Sequence, residues 1–430
     1  MENEALKKAK QSVYAVCERY VNALIEKGII FVEKDHGMEY RKNLRQQLKE
    51  QGAKFRNDGA SIVFGWLSKA CIECTGTGGS QTFSTTFNCH RDCYFCFNRN
   101  LKDYNIYFEQ GCPWEEELQN CIKNNQSAPV CIALTGGEPL LDLSSALKFL
   151  LQVKKAFPNA HTRMYTSGDL LDEEAAMQLK EAGLKEIRFS VKLDDEQNVQ
   201  EKVLENMELA TRYIDDVMVE MPIIPNSKER MQELMSAFDE IGISGMNLLE
   251  FCFPFANWDE FKKRGFEVRN PPFPIMYDYS YSGGLAVAGS EELALELLLW
   301  AKNKGIEYGL HYCSLENKHR SEMRQKNGFA HNLPECMSFN EENFFIQTAK
   351  LYGCDQKLGI EALKAKGCTC FVYDEQEDCT AFPIEFLSAL KGIDVSPQIA
   401  FNVLESSDEG SFLTEVALVD ASNTNSLSLY

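Results

Sequence analysis

Apolar and polar positions change rhythm twice along the chain. Over residues 1–60 they recur at helical spacing. Val13, Val16, Cys17, Tyr20 and Leu24 fall at i, i+3, i+4, i+7 and i+11, one face of a helix, and a second, charged helical stretch surrounds Leu44 and Leu48. From about residue 80, short apolar runs alternate with amphipathic stretches. The runs predict strands at 82–88, 130–135, 162–166, 186–191, 216–221 and 245–251. Between them Leu143, Leu147, Leu150 and Leu151 mark one helix face, and Met231, Leu234, Met235, Phe238 and Ile241 mark another. Gly183 stands where a helix C-terminus takes a left-handed residue. Strand–helix alternation with a repeat of about 30 residues builds right-handed βαβ units on a parallel sheet. Six units predict an α/β protein with a partial (β/α)6 TIM-like barrel, its site at the C-terminal strand ends.

Residues 252–290 break this pattern. They are irregular and dense in Phe253, Phe255, Trp258, Phe261, Phe266, Phe273, Tyr277, Tyr279 and Tyr281, with prolines at 271, 272 and 274. Such aromatic content argues against disorder. It predicts a cap over the barrel mouth, with a subunit interface as the alternative. Ser290 is placed to cap a helix through Leu293, Leu297 and Trp300 that stops at Gly305, and a further strand follows at 307–312. The expected division is a helical N-terminal extension (1–78), a barrel core (79–332) and a small α+β C-terminal domain (333–430) whose end, 422–428, frays.

Composition narrows the class. Hydrophobic residues make up 44%, enough for a sizeable core. No apolar run reaches the roughly 18 residues of a membrane span, and Met-Glu-Asn-Glu-Ala lacks the apolar stretch of a secretory signal. Sixteen cysteines in this setting point to reduced thiols, a cytoplasmic location and metal rather than disulfides. A net charge of −20 repels nucleic acid.

After the first predicted strand comes Asn88-Cys-His-Arg-Asp-Cys-Tyr-Phe-Cys-Phe97, which spaces Cys89, Cys93 and Cys96 as C-x3-C-x2-C. At this cysteine frequency chance supplies that spacing in only about 0.02 places per chain. Three thiolates on a four-iron cluster leave one iron open to a substrate or cofactor. The rival readings are three unrelated thiols or three of four zinc ligands. One strand–helix unit later stands Thr135-Gly-Gly-Glu-Pro139. Its glycines let backbone approach a ligand closely, and Glu138 can accept hydrogen bonds from an ammonium group. Arg188, Ser190 and Lys192 alternate along the fourth predicted strand and share a face, with a solvated edge as the alternative. Asn247 and Glu250 stand at the sixth. Cys71-x2-Cys74 has metal-ligand spacing, and Cys313 could join it, with His311 or Cys252 as a fourth ligand to zinc or an auxiliary cluster; the alternative is inert buried thiols. Cys354, Cys368, Cys370 and Cys379 lie close together without a familiar cluster spacing. Cys112, Cys121 and Cys131 are expected in the core. His90 lacks a companion histidine.

The cysteine triplet and the Gly-Gly-Glu-Pro run resemble the signature motifs of the radical S-adenosylmethionine superfamily. The resemblance implies that Cys89, Cys93 and Cys96 hold a 4Fe-4S cluster and that Phe95 lies near the adenine. It further implies that Gly136, Gly137, Glu138 and Pro139 receive the amino group of S-adenosylmethionine, and that Ser167 meets its carboxylate or a ribose hydroxyl. Ser190, Lys192 and Glu250 are further expected cofactor contacts, and the Pro-Ile-Ile-Pro run at 222–225 is expected beside the adenine. Ser68-Lys-Ala-Cys-Ile-Glu-Cys74, Tyr165-Thr-Ser-Gly168, Asn247-Leu-Leu-Glu250, Gly289-Ser-Glu-Glu292 and His311-Tyr-Cys-Ser314 together resemble a subgroup related to the activating enzymes of pyruvate formate-lyase, over about residues 60–330. This implies an oxidoreductase that reductively cleaves S-adenosylmethionine to a 5′-deoxyadenosyl radical, which takes hydrogen from a peptide or protein. A flavodoxin or ferredoxin is the expected electron donor. Two other classes stand beside it: a methyl- or sulfur-transfer enzyme on RNA or a small metabolite, the RNA case opposed by the charge, and a non-catalytic iron–sulfur scaffold or sensor.

Overall fold

The computed structural model describes residues 3–75, 79–101, 103–124, 128–254, 257–277, 284–328, 330, 333–407 and 410–421. Phe255, Tyr279, Tyr281 and the 422–428 stretch lie outside the described residues. Two helices come first, α1 (Glu4–Glu26) and α2 (Met38–Glu50), then a hairpin of β1 (Lys54–Arg56) and β2 (Ser61–Phe64), and the short α3 (Lys69–Cys74). The repeat follows as β3 (Ser80–Thr86), α4 (Tyr104–Gln110), α5 (Trp114–Asn124), β4 (Cys131–Gly136), α6 (Leu143–Ala156), β5 (His161–Thr166), α7 (Glu173–Ala182), β6 (Glu186–Phe189), α8 (Gln197–Thr211), β7 (Asp216–Ile223), α9 (Lys228–Ile241) and β8 (Gly245–Glu250). Then come β9 (Cys252–Pro254), α10 (Trp258–Lys263), β10 (Gly284–Ala286), α11 (Ser290–Lys304), β11 (Gly309–Cys313) and α12 (Leu315–Asn327).

β3, β4, β5, β6, β7, β8 and β11 lie side by side in that order, all parallel. β2 adds antiparallel to β11, and β1 to β2, so the nine-stranded sheet stays open between β3 and β1. The architecture is a partial barrel with one parallel strand more than the six expected. The run at 307–312 is that seventh strand. The long stretch between β8 and α11 hid it, because the usual repeat length is lost there. The 1–78 stretch, expected to be helical, also supplies β1 and β2. Three and four residues are too short for a period-two signal, yet Ser61, Ile62, Val63 and Phe64 are all buried.

Alternation across the pleat divides each strand between two environments. Ile132, Leu134, Met164, Ile187, Phe189, Val217, Val219, Met221, Met246, Leu248 and Leu310 point outward into one apolar core with the helices. From α6, Ala146, Phe149, Leu150 and Val153 enter this core, while Leu151 turns to solvent at 54% exposure. Gly289, not Ser290, caps α11. The Ser290 hydroxyl instead accepts from the Phe251 amide (2.7 Å) and donates to the Ile223 carbonyl (2.8 Å), tying α11 to the ends of β7 and β8.

The expected face of α1 is not a single buried stripe. Val16 and Tyr20 are exposed; Leu6 and Ala9 pack on the C-terminal sheet and Leu24 packs beside the 252–290 segment. The helix spans from the C-terminal sheet to the 252–290 segment, and among the described residues little packs on its middle. In the 252–290 segment, β9 pairs with β10, and Phe251, Phe253, Phe261, Val268 and Phe273 gather around Tyr94. The remaining elements are β12 (Ser338–Phe339), β13 (Ile346–Tyr352), α13 (Asp355–Ala365), β14 (Val372–Asp374), β15 (Cys379–Phe382), β16 (Gln398–Ser407) and β17 (Gly410–Asp420). The six strands form an antiparallel sheet joined to α12 through Asn327 and Arg320, which donate to the Phe344 and Asn343 carbonyls.

A buried charge network clamps the 252–290 segment to the barrel. Arg269 reaches Glu250 (2.8 Å) and Glu291 (2.5 Å), and Glu291 also meets Arg45 (2.6 Å). Removing one member of such a network leaves an uncompensated charge. We expect Arg269→Met to destabilise the fold by about 3–5 kcal/mol, read as a lower urea midpoint.

Candidate active site

The cysteine loop starts where β3 ends and is held against the end of β4 by backbone. The Gly137 amide donates to the Thr86 carbonyl and the Glu138 amide to the Asn88 carbonyl, both at 2.8 Å. Gly136 lies at φ +112°, and a Cβ on Gly136 or Gly137 would overlap the carbonyl oxygens of Thr86 and Asn88. The glycines are therefore needed for one loop to lie on the other. Asn98, just beyond the third cysteine, donates to the Gly136 carbonyl.

Glu138 is buried, and its carboxylate is hydrogen-bonded. Oε1 accepts from Thr166 Oγ1 (2.8 Å) and the Leu140 amide (3.1 Å); Oε2 accepts from the amide and the hydroxyl of Ser167 (both 2.7 Å). The single Ser167 hydroxyl proton is shared with Asp169, so three donors are fixed on the carboxylate and the fourth is divided. Glu138 thus fastens β4 to β5. Ser167 lies next to Asp169, which receives His90 Nε2 (2.8 Å) and Arg91 (3.1 Å) from the cysteine loop. Burial would raise the Asp169 carboxyl, but hydrogen bonds from Ser167 and His90 and the Arg91 charge outweigh that and hold it low. Arg91 also reaches Asp195 (3.0 Å). The loop is therefore braced on the ends of β4, β5 and β6.

Around the thiols, Lys192 donates to Ser190 (2.6 Å) and lies 5.9 Å from the Phe95 ring centroid. Phe95 packs edge-on to Phe251, and Ile224 joins the same apolar cluster. The Asn257 side chain donates to the Tyr94 carbonyl (2.7 Å), and Arg264 lies 3.9 Å from the Tyr94 ring centroid, so the aromatic segment packs onto the cysteine loop. Cys89 is exposed; Cys93 and Cys96 are half-buried. Burial pushes the Cys89 and Cys93 thiols up, and the neighbouring cysteines add to it. Glu250 does not join this group. It stands an odd number of residues from Asn247 and so faces the other side of β8, where it pairs with Arg269 and accepts the Leu315 amide (2.8 Å). That places it in the buried charge network rather than at a cofactor.

The inner faces of β5 to β11 make a polar lumen floored by α3. Arg188 is its pivot, pairing with Glu186 (2.5 Å) and Glu220 and donating to Ser68 (3.2 Å) and Cys71 Sγ (3.3 Å). Burial would raise Glu186, but the Arg188 charge, with hydrogen bonds from His161 and Ser68, holds it at about 2. Asn247 donates to Glu220 (2.6 Å). Both ring nitrogens of His311 are engaged, by Asn247 and Ser61 at 2.9 Å, so it is not a spare ligand for Cys71, Cys74 and Cys313. These three cysteines surround Arg56, and burial pushes the Cys313 thiol up to about 12. Cys252 faces Gly284 instead. In the tail, Cys370 lies beside Cys336 and Cys368, while Cys354 is exposed and Cys379 packs near Leu6. Cys131 is fully buried; Cys112 and Cys121 are half-buried.

Residues 83–238 match the Radical SAM superfamily. A Methanocaldococcus jannaschii protein named as a glycyl-radical enzyme activating enzyme is 31% identical over 272 residues, covering 61% of this chain and 67% of its own length. Among solved structures, Streptococcus suis SuiB bound to its precursor peptide SuiA aligns with TM-score 0.40 and 12% identity, covering 68% of this chain and 56% of its own. The enzyme anSMEcpe with bound S-adenosylmethionine and a peptide aligns at 0.36 and 16%, covering 54% and 62%. The chain spans little more than half of these two structures. The chain belongs to the radical S-adenosylmethionine superfamily, which implies a 4Fe-4S cluster and S-adenosylmethionine as cofactors.

The residues fit that cluster better than a single metal ion. Zinc–sulfur bonds of about 2.3 Å keep two thiolates within about 4.6 Å of each other. Among the described residues only His161, Glu186 and Asp216 bring three ligand atoms within 4.8 Å of one another. Both cysteine trios are more widely spaced. His90 is turned to Asp169, which leaves three thiols on the loop.

Two outcomes follow from this packing. Gly137→Ala should remain folded by circular dichroism yet lose most of its reconstituted iron, measured per chain against wild type. His311, ordinarily near 6.5, is held at about 3 by burial and by Arg56 and Arg188. Between those values the unfolded chain takes up a proton that the folded chain refuses, so stability falls on acidification, by about 1.4 kcal/mol per pH unit at most. His311→Gln should flatten that slope in urea titrations at pH 7 and pH 5.

Proposed function

We propose that Cys89, Cys93 and Cys96 hold the 4Fe-4S cluster, and that S-adenosylmethionine lies between it and the ends of β4 to β7. The observation that carries this reading is the pair of backbone hydrogen bonds joining the cysteine loop to Gly137 and Glu138. They bring three thiols, a tight glycine turn, Ser167 and Phe95 to one rim of the barrel. When bound, the cluster supplies the electron that splits S-adenosylmethionine into methionine and a 5′-deoxyadenosyl radical, which takes hydrogen from a substrate.

The chain's own residues bind, orient and shield. Gly136, Gly137 and Pro139 present backbone where a side chain would block the amino acid moiety. The Ser190–Lys192 pair offers donors to its carboxylate, and the Ser167 hydroxyl oxygen offers an acceptor to a ribose hydroxyl. Phe95 and Ile224 offer apolar faces to the adenine. Glu138 keeps the β4 and β5 ends in register through Thr166, Ser167 and the Leu140 amide. The aromatic 252–290 segment packs on the cysteine loop and limits entry of water. Exposure of Cys89 gives a low-potential donor, a flavodoxin or ferredoxin, an approach to the cluster. The name of the methanococcal relative favours a peptide or protein substrate, and the sixteen free thiols favour a reducing cytoplasm. Cys71, Cys74 and Cys313 are the candidate ligands of a second site, an auxiliary cluster or zinc.

Anaerobically reconstituted enzyme with dithionite should release 5′-deoxyadenosine from S-adenosylmethionine. Cys93→Ala should abolish this, by at least a hundredfold, and residual cleavage would reassign the ligands. The double change Cys71→Ala and Cys74→Ala should lower iron or zinc while sparing the cluster that turns over; unchanged iron and zinc would leave these residues as lumen thiols.

A further inference from the structure

Arg163 stands on the inner face of β5, in the barrel wall. It is 7% exposed, yet among the described residues it has no ion pair and no hydrogen bond, and its Nε is fully buried without an acceptor. Five N–H donors in such a place need an acceptor. Glu186 stands directly opposite Arg163 in the β5–β6 register, but its oxygens serve Arg188, His161 and Ser68, and the Cys74 thiol of α3 lies within electrostatic reach without a hydrogen bond to it. Glu220 attracts Arg163 at longer range, but it is bonded to Arg188 and Asn247. On the other flank the register neighbour is Ala133, whose methyl leaves room.

Two positions along the same face stands Tyr165. Its ring lies 5.6 Å from the Arg163 guanidinium and 5.5 Å from that of Arg188, and its hydroxyl makes no hydrogen bond among the described residues. Arg163 and Tyr165 therefore lie side by side on one face of β5, and neither polar group has a hydrogen bond among the described residues. Arg163 precedes Ser167 by four residues, roughly 13 Å along a strand. It lies below the rim where the cysteine loop is held.

The geometry points to a substrate carboxylate held by Arg163 and the Tyr165 hydroxyl deep in the lumen. This rests on the reading of the barrel as a radical enzyme's active site, and it adds the chemical class of the substrate: a small acid or an acidic peptide whose carboxylate anchors inside while the carbon to be attacked stays near the rim. The carboxylate supplies the acceptor that a guanidinium already desolvated by the fold lacks. Its planar pair of oxygens matches the guanidinium fork.

The test uses reconstituted holoenzyme with saturating S-adenosylmethionine, titrated calorimetrically with propionate and succinate and with their amides. The acids should bind about tenfold tighter than the amides. Arg163→Met should erase that preference, Tyr165→Phe should weaken it, and Arg163→Lys should keep part of it. Equal binding of acid and amide to wild-type enzyme overturns the proposal without reference to any variant. So does a preference that survives in Arg163→Met, or one that S-adenosylmethionine abolishes by competition, since the site would then be the cofactor's own. The dithionite assay on the same preparation separates the two levels. Loss of 5′-deoxyadenosine formation refutes the enzyme reading, whereas its presence with no acid preference refutes only the carboxylate site.

Discussion

The site depends on one close approach of backbone to backbone. Gly136 and Gly137 let the end of β4 lie against Thr86 and Asn88, and two main-chain hydrogen bonds follow from that contact. Neither bond could form if a Cβ stood at either position. Main-chain bonds also suit the task because they do not change rotamer, so a loop carrying three thiols inherits the rigidity of the sheet. Asp169 and Asp195 then fix the loop from the next two strand ends through His90 and Arg91. The thiols themselves repel one another as they ionise, so bracing from outside is what keeps them gathered.

The second organising feature is the contrast between the two faces of the sheet. Outward residues form a continuous apolar core, and inward residues are charged or hydrogen-bonding. A polar interior is costly unless its members satisfy one another. Arg188 accomplishes most of this by joining Glu186, Glu220, Ser68 and Cys71. Because one arginine takes both carboxylates, the other has none. The division of partners is unequal: Arg188 has two carboxylates and Arg163, among the described residues, has none.

Much of the barrel was legible from pattern alone. Six of its strands show as apolar runs between amphipathic helices, and Gly183 caps its helix at φ +103°. The seventh strand was visible as a run but not as part of the sheet, because parallel pairing joins residues far apart in the chain. β1 and β2 were invisible, since their burial comes entirely from neighbours. The helical period of α1 was real, but a period says which residues share a face and not whether anything covers that face. For Glu250 the information was present: its odd separation from Asn247 places the two on opposite sides of a strand. For Glu138 it was not, because its donors come from two separate stretches, Leu140 and Thr166–Ser167, the second on the neighbouring strand.

What the sequence determined by itself was local chemistry and its order along the chain: a cysteine triplet after one strand, a glycine turn after the next, and a strand–helix rhythm that makes them neighbours. These follow from spacing and steric freedom, which act over a few residues. The tertiary structure decided how charge is distributed. Arg163 and Arg188 are the same residue type on the inner faces of adjacent strands, and nothing in the chain around them tells them apart. Register and packing deliver two carboxylates to one and none to the other, because an ion pair depends on where distant side chains meet.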